Sequence, residues 1–319
     1  MSQASQPTAL RFCNYCIRSP EDGIKLMRCT GCVDGPTYCS KACQKAHWSL
    51  HKVLCRSESS NKRLLENAPC AAPGMLHGFR SVEELTQTFN DYTGSHRWAL
   101  QTAVIICTFL RTNSSTNLQG YGVRPDNVVP RFWFARATGE ASTSRNPART
   151  FAFTRMSWYE ACRPKQLEGF AALHASSVAL FRREDPDAPD ATILALFTLE
   201  GGVHSALECF SYFQRYQIKS AIPRTMQESL TAPLKDLARM CVASLNTPFP
   251  IHTMPEGEKP GLPVPGRYVR ENKSWVWKPL FKNWEDYFAG DTDCGPLVAL
   301  EVLTSGLPPH YLISLFYRI

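Results

Sequence analysis

The sequence predicts an α+β protein in which a small Cys/His-rich module precedes a larger domain of helices beside a short sheet. Three observations predict this fold class. Seven of the 13 cysteines fall between Cys13 and Cys55. Two later segments begin with helix-capping residues and continue with apolar residues at helical spacing. Three segments between them are rich in β-branched and aromatic residues, which favour strands.

The chain is predicted to contain two domains joined by a linker. The Cys/His-rich module covers residues 11–56, and residues 57–75 form the linker because Ser, Asn, Pro and Gly are frequent there. The larger α+β domain covers residues 76–319. With 319 residues, of which 44% are hydrophobic, the chain can bury a core of this size. The sequence assigns no function to the larger domain.

The first helix of the larger domain is predicted to begin in "SVEELTQTF". Ser81 and Glu84 have the spacing of a helix capping box, and apolar residues recur from there through "WALQTAVIICTFL". This pattern predicts one helix that runs to about Arg111. Three strands are predicted after it, in "NVVPRFWFAR", "RTFAFTRMSWYE" and "ATILALFTLEGG".

A second helix is predicted from Thr225 to Asn246. Thr225 and Glu228 repeat the capping-box spacing, and the prolines that follow Asn246 cannot continue a helix. Prolines at 248, 250, 255, 260, 263 and 265 predict a loop in that region. The apolar stretch "PLVALEVL" is predicted to form a helix that begins at Pro296.

The sequence shows no feature of a membrane protein. The N-terminal "MSQASQPTALRF" lacks the basic and apolar regions of a signal peptide, and no stretch reaches about 18 uninterrupted apolar residues. We therefore expect a soluble intracellular protein of the nucleus or the cytoplasm. In such a reducing compartment the cysteines are expected to stay free or to bind metal rather than to form disulfides.

Eight potential metal ligands lie in the module in four pairs, with the spacing C-x2-C-x12-C-x2-C-x6-C-x3-C-x7-H-x3-C. They are Cys13, Cys16, Cys29, Cys32, Cys39, Cys43, His51 and Cys55. Zinc takes four tetrahedral N or S ligands, so eight ligands predict two structural zinc ions with no position open for water or substrate. Because so short a segment has little core, zinc must supply most of its folding free energy, about 10 kcal/mol per ion. The spacing alone allows either sequential or interleaved sites.

Metal binding also changes the interpretation of the net charge. The formal charge of +7 would suggest a nucleic-acid partner, but residues 1–60 contain eight Lys/Arg and only four Asp/Glu. Seven thiolates and two Zn²⁺ lower the charge of the module to about +1 and that of the chain to about +4. Phosphate binding needs a dense basic face. We therefore expect protein partners rather than direct contact with nucleic acid or membrane.

The order of the pairs, together with "YCSKACQKAHWSLHKVLC", resembles the MYND zinc finger. All eight ligand positions of that finger are present. The resemblance implies a cross-braced topology with Cys13, Cys16, Cys39 and Cys43 on one ion and Cys29, Cys32, His51 and Cys55 on the other. It also implies a protein-interaction module, of a kind that often binds short proline-containing peptides, with Gln44 and Trp48 at the peptide-contacting positions.

Two further residues of the module need interpretation. His47 lies four residues after Cys43 and could compete with His51 for metal, but the complete eight-ligand pattern outweighs a lone histidine. We expect His47 to be an exposed helix residue. Trp48 is expected to contact a partner, because so small a module has little core that needs an indole. The chain's own "MPEGEKPGLPVPG", residues 254–266, contains four prolines, and the sequence leaves open whether this segment binds at Gln44 and Trp48 or forms an ordinary surface loop.

Two enzymatic alternatives exist for the larger domain, although we expect no enzymatic activity. The Asp-Cys-Gly of "GDTDCGP" resembles the nucleophile region of cysteine proteases that remove ubiquitin-like modifiers, with Cys294 as nucleophile and His96 and Asp91 as base and acid. A turn before Pro296 is the simpler interpretation. Some MYND proteins are SET-type lysine methyltransferases. Part of their catalytic domain precedes the finger, whereas twelve residues precede Cys13, and no "NHSCxPN" motif occurs.

Overall fold

The structure of the chain is a computed structural model. It describes residues 13, 15–16, 18, 23–31, 36–48, 51–52, 55, 78–113, 128–138, 145–160, 175, 192–200, 211–217, 228–253, 261–272, 274–288 and 304–317. The predicted α+β class is confirmed, because helices and sheets occur together and a small N-terminal module is followed by a larger part. The predicted linker, residues 57–75, lies outside the described residues.

The chain divides into two compact units. The bounds are Met1–Thr88, Gly122–Arg131 and Ser157–Lys219 for the first unit, and Phe89–Tyr121, Phe132–Met156 and Ser220–Ile319 for the second. The Cys/His-rich module therefore belongs to the first unit.

The module is built from a short hairpin and a helix. Strands β1 (Met27–Arg28) and β2 (Thr37–Tyr38) pair antiparallel. Helix α1 (residues 41–48) follows, and residues 51–52 and 55 are also helical. The Ser40 side chain caps α1, since its Oγ accepts a hydrogen bond from the backbone N–H of Cys43 at 3.2 Å. The sequence "CSKAC" therefore fixes where the helix starts.

The three predicted strands are confirmed and belong to a four-stranded sheet. Its strands are β3 (Val128–Arg136), β4 (Phe151–Glu160), β5 (Thr192–Leu199) and β6 (Ser211–Gln217), in the order β4-β3-β5-β6. Strand β5 pairs antiparallel with β6, with Phe197 opposite Tyr212. Residues 195–199 are all buried, as expected of a strand covered on both faces. Strand β6 was not predicted.

Two helices replace the single helix predicted up to Arg111. They are α2 (Val82–Ser95) and α3 (Arg97–Asn113). Ser81 caps α2 as predicted, since its Oγ accepts from the N–H of Glu84 at 3.1 Å. The break follows Ser95, whose carbonyl accepts a hydrogen bond from His252 Nε2 at 2.7 Å. A side chain from a distant segment thus binds the backbone where α2 ends.

Aromatic rings form part of the core of the second unit. Phe89 and Tyr92 of α2 meet Phe134 and Phe151 edge to face, with ring centroids 5.1 to 5.7 Å apart. All four side chains are buried. Tyr92 Oη also donates to the carbonyl of Leu245 at 2.9 Å, so the buried hydroxyl has a partner at the end of a later helix.

That helix, α4 (Glu228–Leu245), ends before Asn246 as predicted, whereas the proposed cap Thr225 lies outside the described residues. The buried carboxylate of Asp236 accepts hydrogen bonds from the backbone N–H groups of Thr304 at 2.8 Å and Ser305 at 2.6 Å. Burial raises the pKa of Asp236, but the hydrogen bonds from Ser305, Arg239 and Thr304 outweigh it and lower the pKa below its ordinary value. Asp236 therefore anchors the segment that leads to the C-terminal helix.

A second sheet and two short helices complete the second unit. The strands are β7 (Ile251–His252), β8 (Val264–Glu271) and β9 (Ser274–Pro279), and the helices are α5 (Trp284–Phe288) and α6 (Pro309–Phe316). The strand order is β7-β8-β9, and both pairings are antiparallel. A Cβ at position 266 would overlap the Trp277 ring, so the close pairing of β8 and β9 requires Gly266.

The predicted proline-rich loop is partly wrong, because β8 begins inside it. The N–H of Gly266 donates to the carbonyl of Pro250 at 3.0 Å, and Pro263 accepts a hydrogen bond from Trp284 Nε1 at 3.0 Å. Residues 263–266 are buried in this sheet and are therefore not free to act as a peptide ligand. Residues 254–260 lie outside the described residues. Among the described helices, none is long and apolar enough to cross a lipid bilayer.

Candidate metal centre

The first group of potential ligands consists of Cys13, Cys16, Cys39 and Cys43, whose sulfur atoms all lie within 4.8 Å of one another. The N-terminal pair lies at a turn that is closed by a hydrogen bond from the N–H of Cys13 to the carbonyl of Arg18 at 2.8 Å. Cys39 directly follows β2, and Cys43 lies in the first turn of α1. The Sγ atom of Cys39 is 3.4 Å from that of Cys16 and 3.5 Å from that of Cys43.

The second group consists of Cys29, His51 and Cys55, whose ligand atoms also lie within 4.8 Å of one another. Cys29 follows β1, where its N–H donates to the carbonyl of Pro36 at 3.0 Å. The Sγ atoms of Cys29 and Cys55 are 3.8 Å apart, and all three side chains are buried. Cys32, the fourth predicted ligand of this group, lies outside the described residues.

The two groups interleave along the chain. The first combines the first and third ligand pairs, and the second contains residues of the second and fourth pairs. Of the two arrangements that the spacing allowed, the described residues therefore adopt the cross-braced one.

In the first group, ionisation of one thiol opposes ionisation of another. Burial raises the pKa of Cys13, but backbone hydrogen bonds from Cys16, Cys39 and Tyr15 outweigh it and lower the pKa to about 6. Hydrogen bonds with Cys16 and Cys43, burial and the charge of Cys13 raise the pKa of Cys39 to about 12. A divalent ion that prefers thiolates removes this repulsion, so the donor set fits zinc.

Comparison with protein families agrees with this geometry. Residues 13–55 match the family model described as MYND finger. This segment is a MYND finger. The match covers a small part of the 319-residue chain, and no solved structure matches the chain. MYND fingers bind zinc and mediate contacts between proteins.

The MYND finger buries His47, which we predicted to be exposed. The side chain is only 8% exposed, and its Nδ1 lies 2.9 Å from the hydroxyl of Tyr38. Its ring stacks on that of His51 with centroids 6.2 Å apart and an angle of 5° between the planes. The prediction was wrong because positions 43, 47 and 51 are spaced i, i+4, i+8 and face inward together. This spacing was the available sequence signal. Neither ligand group of the described residues includes His47.

Gln44 and Trp48 lie together on the outer face of α1, the finger helix. With Lys41 and Lys45 they line a shallow depression of about 380 Å³. Trp48 is 43% exposed, and its ring meets His51 edge to face with centroids 6.0 Å apart. Gln44 is half-buried, and its Nε2 donates to the sulfur of Cys29 at 3.7 Å. The depression thus offers an indole face beside an amide that already contacts a metal-ligating sulfur.

The candidate catalytic residues of the larger domain are only partly described. His96 is fully buried and donates from Nε2 to the carbonyl of Ala148 at 3.2 Å, and burial lowers its pKa to about 4. Asp91 is exposed. Cys294 lies outside the described residues, so the alternative of a catalytic pairing of Cys294 with His96 stays untested, as does the expectation of no enzymatic activity.

Proposed function

We propose that the chain is an intracellular, non-catalytic interaction protein. In this proposal its MYND finger holds two structural zinc ions and binds proline-containing peptides through Gln44 and Trp48. The observation that carries the proposal is the exposure of Trp48. A finger with so little core leaves 43% of its indole open beside a depression, where a partner can cover it.

The composition of the finger core supports a structural role for zinc. Its buried cluster consists of Cys13, Cys29, Tyr38 and Cys55, so three of its four buried residues are predicted ligands. This cluster removes little apolar surface from water. Metal binding must therefore supply most of the folding free energy, and the ions would connect the N-terminal turn and the hairpin to α1.

The chemistry of the depression supports a proline-containing peptide. A proline ring is flat and apolar and can pack on the indole of Trp48, and an extended proline-rich segment loses little backbone entropy on binding. The Nε2 of Gln44 donates to Cys29, so its Oε1 is directed away from that sulfur and can accept a hydrogen bond from a backbone N–H of the peptide.

A non-catalytic role is supported by His96, because a buried imidazole that is hydrogen-bonded to a backbone carbonyl is poorly placed as a general base.

The test is a titration of the full, zinc-loaded chain with a panel of labelled proline-containing peptides, measured by fluorescence anisotropy. The exposed 43% of a side chain of about 250 Å² is about 110 Å². At about 25 cal/mol per Å² this area contributes about 2.7 kcal/mol, so Trp48→Ala should weaken binding about 100-fold.

Met27→Ala is the matched control, since Met27 is 45% exposed on the same finger but does not line the depression. It should leave the affinity unchanged, and both variants should keep the zinc content of the wild type. Equal affinities of Trp48→Ala and the wild type, or no binding of any peptide, would overturn the proposed function.

A further inference from the structure

The outer face of the finger helix is basic on one side of Trp48. Lys41, Gln44, Lys45 and Trp48 are spaced i, i+3, i+4 and i+7, so they form a single stripe, and together they line the depression. Both lysines are exposed. A peptide that docks on Trp48 and follows this stripe therefore passes two ammonium groups.

Basic residues outnumber acidic ones in the finger, since residues 13–55 contain six Lys/Arg and three Asp/Glu, namely Glu21, Asp22 and Asp34, which lie outside the described residues. None of the described residues between Cys13 and Cys55 is acidic, and in this part of the chain neither lysine forms an ion pair. Other basic side chains, at Arg18 and Lys25, add to the positive field. The stripe thus presents cations whose counter-charge the described finger does not provide.

We propose that the finger selects proline-containing peptides that carry acidic side chains on one side of the docked residue. This inference rests on the proposed function of the depression. The apolar residue of the peptide packs on Trp48, and its carboxylates face Lys45 and Lys41. Such pairs are partly solvated, so they contribute more to the choice of partner and to the rate of association than to the affinity.

The geometry of the helix gives the positions of the acidic residues. With a rise of about 1.5 Å per residue, Lys45 lies about 4.5 Å and Lys41 about 10 Å along the axis from Trp48. A polyproline-type peptide advances about 3.1 Å per residue. Acidic residues two and three positions from the docked residue therefore reach Lys45 and Lys41. A nucleic acid is the less suitable partner, because two lysines neutralise too few phosphates for appreciable binding.

The test uses three peptides of equal length with the same proline core. They carry Glu, Gln or Lys at the second and third positions from the docked residue. The wild-type chain should bind the Glu peptide about fivefold more tightly than the Gln peptide at low salt. This preference should decrease at high salt, because exposed charges are screened.

The double variant Lys41→Glu/Lys45→Glu should reverse the preference, so that the Lys peptide binds most tightly. Glutamate is tolerated at position 41, in the first helical turn, because it complements the helix dipole. Arg18→Glu/Lys25→Glu is the matched control, since it changes the net charge equally at exposed positions outside the depression. If the charge-reversed finger retains less zinc, Lys41→Gln/Lys45→Gln replaces it and should abolish the preference.

The outcomes separate this inference from the proposed function. If all three peptides bind equally and Trp48→Ala weakens all of them, the acidic selectivity is refuted and the proposed function stands. If the control variant reverses the preference as well, net charge rather than the stripe is responsible, which also refutes the inference. A single-stranded oligonucleotide can be compared with unlabelled Glu peptide as a competitor for the labelled Glu peptide. If the oligonucleotide displaces the labelled peptide at the lower concentration, nucleic acid is the partner instead. If no peptide binds the wild type, both proposals fail.

Discussion

The two ligand groups of the finger differ in exposure, which predicts that their zinc ions leave in a fixed order. In the first group Cys13 is buried, but Cys16 is exposed, and Cys39 and Cys43 are half-exposed. In the second group Cys29 and His51 are buried, with 4% and 2% exposure. The perturbation is the addition of a limiting amount of N-ethylmaleimide to the zinc-loaded full-length chain.

The chemistry links modification of a thiolate to loss of its ion. The sulfur electron pair forms a bond to one alkene carbon of the maleimide, the zinc–sulfur bond breaks, and water protonates the other carbon. The resulting thioether is a weak ligand, so the ion departs. Cys16 reacts directly, whereas a buried thiolate reacts only after local opening. An opening free energy of about 3 kcal/mol would slow the buried group roughly 100-fold.

The assay combines native mass spectrometry, which counts zinc, with peptide mapping, which gives the rate at each cysteine. We expect an intermediate that keeps one zinc ion and is modified at Cys16 but not at Cys29 or Cys55. Cys107 and Cys241 are internal references, since burial raises the pKa of both thiols and they should stay unmodified. Loss of both ions in one step, or earlier modification of Cys29 than of Cys16, would refute the reasoning.

Two further predictions concern buried polar groups. Asp236→Asn should destabilise the chain by about 2 kcal/mol in urea unfolding, because two backbone N–H groups lose a charged acceptor. Arg239→Gln should destabilise the chain less, because the Arg239 side chain that pairs with Asp236 is exposed. The pKa of Asp236 is lower in the folded state than its ordinary value of 3.8. The contribution of Asp236 to the free energy of unfolding is therefore present above pH 3.8 and is lost as the pH falls through the folded-state pKa. A free energy of unfolding that is unchanged down to pH 3 would contradict this. His47→Ala and Tyr38→Phe should each destabilise the finger by about 1 kcal/mol, since each removes the same buried hydrogen bond, and both variants should keep two zinc ions. Loss of one zinc ion in His47→Ala would instead identify His47 as a ligand.

Features that depend on neighbouring residues could be predicted from the sequence. The cap at Ser81 follows from a local hydrogen bond between its side chain and the first turn of α2. The end of α4 before Asn246 follows from the prolines beyond it, which cannot continue a helix. The strand β3 follows from its aromatic and β-branched residues. The ligand spacing likewise predicts two zinc sites, because the chemistry of zinc restricts the ligands and their number.

Features that depend on distant residues could not be predicted in the same way. The break between α2 and α3 involves a hydrogen bond between Ser95 and His252, which are 157 residues apart. Strand β8 begins among prolines because the buried sheet accepts Pro265 beside β7, where local propensity indicates a loop. The burial of His47 needs the hydroxyl of Tyr38, which comes from the hairpin rather than from the helix. Tertiary contacts override the local pattern in each case.

The finger helix shows how zinc leaves an aromatic residue available for binding. Its inward positions Cys43 and His47 serve the metal and its surroundings together with the later His51, so the helix needs no large apolar residue to attach it to a core. Trp48 on the outer face contacts His51 only edge to face and stays 43% exposed. Gln44 belongs to both faces, because it lines the depression while its amide contacts the sulfur of Cys29. The loss of the second zinc ion should thus reach the peptide site through Gln44, whereas a change at Trp48 should affect binding without affecting the metal.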